Sequence, residues 1–83
     1  MTKRIDILKA LSNKTRLKII EFLKGGEKCA CKIVPYTKKS QPNVSLHLKK
    51  LEETGILESR KVGTNVYYKI KDNRVLKILK LLE

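Results

Sequence analysis

Two cysteines, Cys29 and Cys31, lie one residue apart in the stretch GGEKCACKIVPY, and they are the only cysteines among the 83 residues. A disulfide between such close neighbours would close too small a loop to restrict the unfolded chain, and thiols stay reduced in a cytoplasm. The pair is therefore expected to bind a soft metal or metalloid ion, to act as a redox pair, or only to pack. Lys28 and Lys32 flank the cysteines and favour the thiolate, which is the form that binds metals.

The backbone conformation of this stretch decides whether the two sulfurs can meet at one ion. Side chains two residues apart point about 200° away from each other on a regular helix, but to the same side of an extended segment. Pro35 is best placed in the first turn of a helix, so the helix that follows the cysteines is predicted to begin near Lys32. Residues 29–31 are therefore predicted to be extended or irregular, which would allow both thiolates to converge.

Positive charge is the strongest global feature of the chain, with 20 Lys and Arg against 8 Asp and Glu and a net charge of +12. It is concentrated in two acid-free blocks, residues 28–51 and 59–71. Such a charge favours a polyanionic partner, with nucleic acid expected before an anionic membrane surface, although a lysine-rich solvated surface is the alternative. Scattered acids, a single histidine and no glycine-rich phosphate loop argue against an enzyme.

The length and hydropathy of the chain indicate one small soluble domain. A domain of this size buries only roughly 60–65% of the surface that its unfolded chain exposes, so support from a partner chain is expected. The first and last predicted helices carry more apolar residues than a monomer needs, which also favours a partner. No long apolar stretch or signal-peptide pattern is present, which predicts a cytoplasmic protein without a membrane segment.

Hydrophobic periodicity predicts five helices and one β-hairpin. The predicted parts are a helix-turn-helix at about 32–54, a hairpin wing at about 56–71, and end helices at about 3–11 and 73–83, with a central helix at about 14–24. The fold is therefore mostly α with a small β-hairpin, a winged helix-turn-helix in the order α-α-α-α-β-β-α. In such a domain the second helix of the helix-turn-helix enters the major groove and the hairpin lies along the neighbouring backbone.

The second helix of the helix-turn-helix has two distinct faces. Ser40 is a good N-cap, Pro42 falls in the first turn, and Gly55 ends the pattern. At 100° per residue, one face carries Val44, Leu48 and Leu51. The opposite face carries Asn43, Leu46, Lys49 and Lys50, flanked by Gln41 and Ser45. One side is thus predicted to pack while the other contacts a ligand.

Several stretches of the chain together resemble the ArsR/SmtB family of winged-helix transcriptional repressors. They are ALSNKTRLKIIEFL for the second helix, CACKIV for the start of the third, and SQPNVSLHLKKLEETGILESRKVGTNVYYKI for the recognition helix and wing. The resemblance covers nearly the whole chain. It implies a homodimer joined through the first and last helices, binding to a two-fold operator in double-stranded DNA, and release when an effector binds.

On this interpretation the DNA-binding residues are assigned by their chemistry. Amides suit adenine edges, an apolar side chain suits the thymine methyl, and lysine or arginine suits phosphate. The predicted contacts are Lys38, Lys39, Ser40, Gln41, Asn43, Ser45, Leu46, His47, Lys49, Lys50, Arg60, Lys61 and Asn65. The alternative for the amides is helix capping and solvation.

His47 is expected at the edge of the packed face, where it is a boundary residue or helps to position the recognition helix, as its place in the family's S-x-H-L implies. Tyr68 is expected in the core and Tyr67 at the surface or on a phosphate.

The resemblance also bears on Cys29 and Cys31, because family members that sense soft metals or arsenite bind the ion with a Cys-x-Cys pair at the start of the third helix. Val34 occupies the position of the third thiol in the arsenite pattern, so a trigonal site is incomplete. The last helix lacks the histidines of the family's other zinc site, and Asp72 alone cannot supply it. No cofactor is required, and a soft metal or metalloid ion is the expected effector.

Three functions remain open from the sequence. The first is a homodimeric, sequence-specific repressor that a thiol-binding metal or metalloid releases from DNA. The second is a winged-helix regulator without a metal effector, either redox-responsive or constitutive. The third is a non-specific nucleic-acid-binding protein, for which the charge alone would suffice.

Overall fold

The computed structural model describes residues 4–82, with side chains described for residues 8–81. Within that range it contains five helices and three strands. They are α1 (Arg4–Leu11), α2 (Lys14–Leu23), β1 (Lys28–Cys29), α3 (Ala30–Thr37), α4 (Gln41–Glu53), β2 (Leu57–Val62), β3 (Asn65–Ile70) and α5 (Arg74–Leu82). The strands form one antiparallel sheet in the order β1-β3-β2. The predicted fold class, mostly helical with a small hairpin, is confirmed.

Helix α2 lies at the centre of the fold because apolar residues cover most of its circumference. Asn13 caps its first turn, with Oδ1 accepting hydrogen bonds from the backbone N–H of Thr15 (2.8 Å) and Arg16 (3.2 Å). Ile19 and Ile20 are fully buried. The core around them consists of Ala10, Leu11, Leu23, Ile33, Val44, Leu48, Leu51, Ile56, Leu57, Val75 and Leu79. All five helices therefore contribute to a single apolar core.

Helices α3 and α4 form the helix-turn-helix and are joined by a turn of two lysines and Ser40. Lys38 ends α3 in the left-handed conformation, with φ of 60°. Buried Thr37 stabilises the turn, because its Oγ1 donates to the Val34 carbonyl at 2.8 Å and accepts from the Lys39 N–H at 3.2 Å. These hydrogen bonds stabilise the turn between α3 and α4, although a lysine and not a glycine occupies its left-handed position.

Strands β2 and β3 form the wing, with register pairs from Leu57↔Ile70 to Val62↔Asn65. The connecting turn is Gly63–Thr64, and Gly63 has φ of 62°, which an L side chain rarely adopts. The base of the wing is fixed to the core, since the Lys71 N–H donates to the Ile56 carbonyl at 2.8 Å. Thr64 and Asn65 at its tip line a cavity together with residues of α3 and α4.

The segment around the cysteines differs from its prediction. Helix α3 begins at Ala30 instead of near Lys32, and Lys28–Cys29 forms a strand that pairs with Tyr68 and Tyr67 of β3. Cys31 therefore lies in the first helical turn and is not extended. Pairing with the wing fixes the backbone up to Cys29, and Cys29 itself caps the helix, so these interactions outweigh the preference of Pro35 for a first turn.

The end helices leave apolar surface uncovered in the single chain. Leu8 is 57% exposed and Leu81 is 85% exposed, while α5 contributes Val75 and Leu79 to the core. The predicted end-helix residues 3 and 83 lie outside the described residues, as do the side chains of Ile5, Ile7 and Leu82. Among the described residues, no helix has the length and apolar character that a membrane span requires.

Candidate nucleic-acid interface and thiol site

Helix α4 presents one face to the core and the other to solvent. Val44 and Leu51 are fully buried and Leu48 is 2% exposed, whereas Leu46, two residues earlier, is 58% exposed. The outward side chains are Gln41, Asn43, Ser45, Leu46, Lys49 and Lys50, all of them exposed. The sequence-predicted division of this helix therefore matches the burial pattern of the fold.

The first turn of α4 combines a side-chain cap with exposed amides. Ser40 has the extended backbone of an N-cap, and its Oγ accepts a hydrogen bond from the Asn43 N–H at 3.3 Å. Ser40 therefore orients the first turn of the helix, and the Gln41 and Asn43 side chains remain exposed. The positive end of the helix dipole lies at the same place, which favours contact with a phosphate.

His47 connects α4 to α2. The Nε–H of Arg16 donates to Nδ1 of His47 at 3.1 Å. Burial lowers the pKa of His47 below its ordinary value of 6.5, and the nearby Arg16 charge lowers it further. A neutral imidazole is required for this hydrogen bond, since protonated Nδ1 cannot accept it. His47 was predicted among the DNA contacts, and the structure places it half-buried against the central helix, which fits positioning of α4.

The wing carries Arg60 and Lys61, whose side chains differ in their surroundings. Arg60 donates two hydrogen bonds to Glu27, from Nε at 2.9 Å and from Nη2 at 2.7 Å, and its guanidinium lies 5.5 Å from the centre of the Tyr67 ring. The hydrogen bonds from Arg60 lower the pKa of the Glu27 carboxyl. Lys61 and Asn65 are exposed. No local pattern in the sequence indicates that Glu27 pairs with Arg60, because 33 residues separate the two.

The predicted lysine contacts form no ion pair within the described part of the chain. The ion pairs between described residues are Arg60–Glu27, Lys69–Glu58 and Arg74–Asp72. Lys38, Lys39, Lys49, Lys50 and Lys61 are exposed and form no ion pair with any described carboxylate. The helix-turn-helix and the wing tip therefore carry exposed lysines without ion pairs to described residues, in a chain of net charge +12.

The two tyrosines of β3 follow their predictions only in part. Tyr68 packs against the core, as predicted, and burial raises the pKa of its hydroxyl. Tyr67 is half-buried on the other face of the strand, where it contacts the Arg60 guanidinium. Its side chain therefore supports the wing instead of standing free at the surface.

The two thiols lie close together, although Cys31 is helical and not extended as predicted. Cys29 is the N-cap of α3, and its Sγ accepts a hydrogen bond from the Cys31 N–H at 3.2 Å. Interaction with the Cys31 thiol lowers the pKa of Cys29, and the same interaction raises the pKa of Cys31. The N-cap residue is extended while its side chain turns back over the first helical turn, so the helical Cys31 still meets Cys29. Cys29 is buried and Cys31 is exposed.

The thiol pair opens into a cavity of about 490 Å³ between α3, α4 and the wing. Its lining includes the apolar residues Val34, Pro35 and Leu48 together with Tyr68. The polar residues of the lining are Gln41, Ser45, Thr64 and Asn65. The sequence did not indicate this cavity, because it is made by residues from three separate elements.

The donor set suits a soft ion but supplies only two ligands. Thiolates prefer soft ions, and the pair of sulfurs offers two adjacent donors. Within the described part of the chain, no group of three or more His, Cys, Asp or Glu residues is placed to hold a metal ion. Cys29 and Cys31 therefore fit an ion that accepts two sulfurs, and a tetrahedral or trigonal ion needs a ligand from elsewhere.

The helix-turn-helix, the hairpin beside it and the positive outer face of α4 define a winged helix-turn-helix DNA-binding domain. Residues 13–59 match the family described as bacterial regulatory protein, arsR family. The chain belongs to this ArsR family, as the stretches of sequence around the recognition helix predicted. The family and the fold are those of DNA-binding transcriptional regulators and not of enzymes.

Relatives of known sequence cover most of the chain. An uncharacterised HTH-type transcriptional regulator, MJ1325 of Methanocaldococcus jannaschii, is 44% identical over 98% of this chain and 92% of its own length. The arsenical resistance operon repressor of Staphylococcus aureus is 39% identical over 77% of this chain, which spans only 62% of that protein.

One similar protein of solved structure is a homodimer. It is the homodimeric winged helix-turn-helix DNA-binding domain of Mb0332 from Mycobacterium bovis, with a TM-score of 0.84 and 32% identity. The match covers 94% of this chain and 72% of that one.

Proposed function

We propose that this protein is a homodimeric repressor that binds a two-fold operator in double-stranded DNA through α4 and the wing. The observation that carries the proposal is the outer face of α4, where amides, an exposed leucine and lysines stand on a helix whose other face is in the core. A DNA-bound repressor works where the genome is, so we place it in the cytoplasm.

The proposed base contacts lie in the first two turns of α4. Gln41 and Asn43 carry amides that can pair with the N6 and N7 edge of adenine, and Leu46 offers an apolar contact to a thymine methyl. Ser45 serves a base or a phosphate. The lysines of the turn, of α4 and of the wing tip contact phosphates and set register and affinity. Arg60 joins them when phosphate displaces Glu27 from its guanidinium.

The proposed dimer is formed by the two end helices. Leu8 and Leu81 are large, exposed and apolar, and they lie on α1 and α5. Burying such side chains against a second copy stabilises a dimer by roughly 1.5–3 kcal/mol per fully buried leucine. The homodimeric Mycobacterium bovis domain supports this assembly. A dimer spaces its two α4 helices to read two half-sites about one helical turn of DNA apart.

The proposed effector is a thiol-binding metal or metalloid ion at Cys29 and Cys31. The pair is adjacent, hydrogen-bonded and placed at the start of the helix that leads into α4. The name of the Staphylococcus aureus relative, an arsenical resistance repressor, supports arsenite as one such effector. Binding at the pair shifts α3 and thereby the position of α4, which changes operator affinity.

Selection of bound DNA from a random pool, with reduced protein and with or without arsenite, tests the proposal as a whole. We expect an enriched two-fold motif that is lost when arsenite is present. Asn43→Ala should relax the motif at one position in each half-site, whereas Lys49→Gln should weaken binding to all sequences alike. Absence of any enriched motif would contradict the proposal and favour a non-specific nucleic-acid-binding protein.

A redox effector is the second candidate, and the placement of both thiols at the first turn of α3 favours it. Peroxide would oxidise the pair to a disulfide, with two thiols and one H₂O₂ giving a disulfide and two waters. Operator release by peroxide but not by arsenite or Hg(II) would select this candidate. A motif that none of the three reagents changes would indicate a regulator without such an effector.

A further inference from the structure

We infer that the cavity beside the thiol pair holds an anionic low-molecular-weight thiol, which supplies the third sulfur ligand to a trivalent metalloid bound by Cys29 and Cys31. The inference rests on the proposed function, because it concerns the same effector ion. It goes further in assigning a ligand site to the cavity and a chemical class to its occupant.

The need for a third ligand follows from the donor count. Trivalent arsenic binds three sulfurs in a trigonal pyramid, and the chain contains two cysteines. Within the described residues, no other His, Cys, Asp or Glu completes a group of three with them. The third sulfur must then come from outside the subunit.

The cavity has the size and position to admit that sulfur. Its volume of about 490 Å³ includes both cysteines in its lining. Pockets for small molecules span roughly 300–1,000 Å³ and combine apolar walls with a few polar groups. Val34 and Leu48 supply apolar wall, and the hydroxyls and amides of Ser45, Thr64 and Asn65 supply hydrogen-bond partners.

The charge of the site selects the kind of thiol. Among the described residues, none that line the cavity is acidic. Lys28 and Lys32 flank the two cysteines in the sequence. The chain as a whole carries +12. A thiol that bears a carboxylate is therefore favoured over a neutral one, and a neutral thiol over a cationic one.

The binding step is an exchange of ligands without any change of oxidation state. Arsenite, As(OH)₃, loses its three hydroxides as water when two cysteine thiols and one small thiol RSH each give up a proton. Three As–O bonds break and three As–S bonds form. The product is (Cys-S)₂As–SR with three waters, and no oxidant or reductant is consumed.

Native mass spectrometry of the reduced protein with arsenite tests the inference directly. The probes are stoichiometric thioglycolate, 2-mercaptoethanol and cysteamine, which are anionic, neutral and cationic. We expect one arsenic and one thioglycolate per subunit, three sulfur neighbours by X-ray absorption, and arsenite affinity raised about tenfold by thioglycolate. Cysteamine should raise the affinity least.

Val34 provides a matched pair of variants, because it is half-buried and lines the cavity. Val34→Cys places a third thiol within the chain, so arsenite should bind without added thiol and the ternary mass should disappear. Val34→Ala enlarges the cavity without adding sulfur and should keep the requirement for thiol. Both outcomes are read from binding and mass, not from operator release alone.

Two results would overturn the inference. One is arsenic held by two cysteines and a hydroxide whether or not thiol is present. The other is a single arsenic shared between the cysteines of two subunits. Either result leaves the proposed effector response intact, because arsenite still binds. Failure of both arsenite and Hg(II), which needs only two sulfurs, to bind the reduced protein would instead remove the metal effector and the inference together.

Discussion

Leu46 and Leu48 form a natural pair for testing whether α4 reads DNA, because the same side chain stands two residues apart on opposite faces of one helix. Leu48 is 2% exposed and belongs to the core, whereas Leu46 is 58% exposed. Substitution of each by alanine removes the same atoms from two different environments. The structure therefore predicts two opposite patterns of effect on stability and on operator binding.

The expected effects on stability follow from burial. Leu48→Ala leaves a cavity in the core and should lower the free energy of unfolding by about 2–5 kcal/mol. A loss of ~2 kcal/mol lowers the Tm of a domain of this size by roughly 8–16 °C. Leu46→Ala should change the free energy of unfolding by no more than about 0.5 kcal/mol. Denaturant titrations must be compared at one protein concentration, since dimerisation contributes to stability.

The expected effects on binding are the reverse. Leu46→Ala should weaken binding to the selected operator by about 1–2 kcal/mol, or roughly five- to thirtyfold, through the lost apolar contact. Replacing the contacted thymine by deoxyuridine removes the methyl group alone and provides the matching change in the DNA. The wild-type protein should lose affinity on this replacement, and the Leu46→Ala protein should not. Fluorescence anisotropy with labelled operator measures all four combinations.

Two results would refute this reasoning. A loss of more than about 2 kcal/mol of stability in Leu46→Ala would mean that Leu46 is buried in the working protein. Unchanged operator affinity in Leu46→Ala, with equal sensitivity to deoxyuridine in both proteins, would mean that another surface contacts the bases. Leu48→Ala is compared only at temperatures where circular dichroism finds it folded, so that loss of fold is not read as loss of contact.

Three further measurements test other parts of the interface. Ser40→Ala removes the oxygen that caps α4 and should lower the free energy of unfolding by about 1 kcal/mol in a denaturant titration, whereas Ser40→Asp should retain the cap. His47 has a pKa below 6.5 in the folded protein, so the unfolded chain binds more protons as pH falls below 6.5. The free energy of unfolding should therefore be highest above pH 6.5 and should decrease as pH falls towards the folded-state pKa. The His47→Gln variant should lose this pH dependence. Lys49→Gln and Lys50→Gln should each reduce the slope of log K against log salt by about 0.9 without lowering Tm, and an unchanged slope would exclude that lysine from the phosphate contacts.

The sequence predicts α4 well because its signals are local. Ser40 supplies the cap, Gly55 with φ of 83° supplies the exit, and the apolar residues between them repeat at helical spacing. The hairpin is equally clear from the turn residues at 63–65 and from the alternation of apolar and polar residues that follows them. These features depend on residues within a few positions of one another, so a single sequence contains the information needed to place them.

The missed features all depend on residues distant in sequence. Strand β1 contains only two residues, Lys28–Cys29, and it exists because β3 pairs with it some 39 residues later. The Arg60–Glu27 pair spans 33 residues and the Arg16–His47 hydrogen bond spans 31. No local pattern specifies such partners. The predicted start of α3 was wrong for the same reason, because the pairing of β1 with β3 determines where the helix begins.

Cys29 connects the proposed effector site to the proposed DNA-binding surface. Its backbone pairs with Tyr67 of the wing, its sulfur caps α3, and its side chain lines the cavity that also includes Gln41 of α4. An ion at this sulfur competes with the Cys31 N–H, but loss of one cap accounts for only about 1 kcal/mol, or roughly fivefold. A hundredfold loss of operator affinity requires about 2.7 kcal/mol of difference between the two states. The remaining free energy, about 1.7 kcal/mol, must come from the wing or α4, so an ion that releases the operator must displace one of them. Hydrogen exchange of β3 in the presence of arsenite should report that displacement.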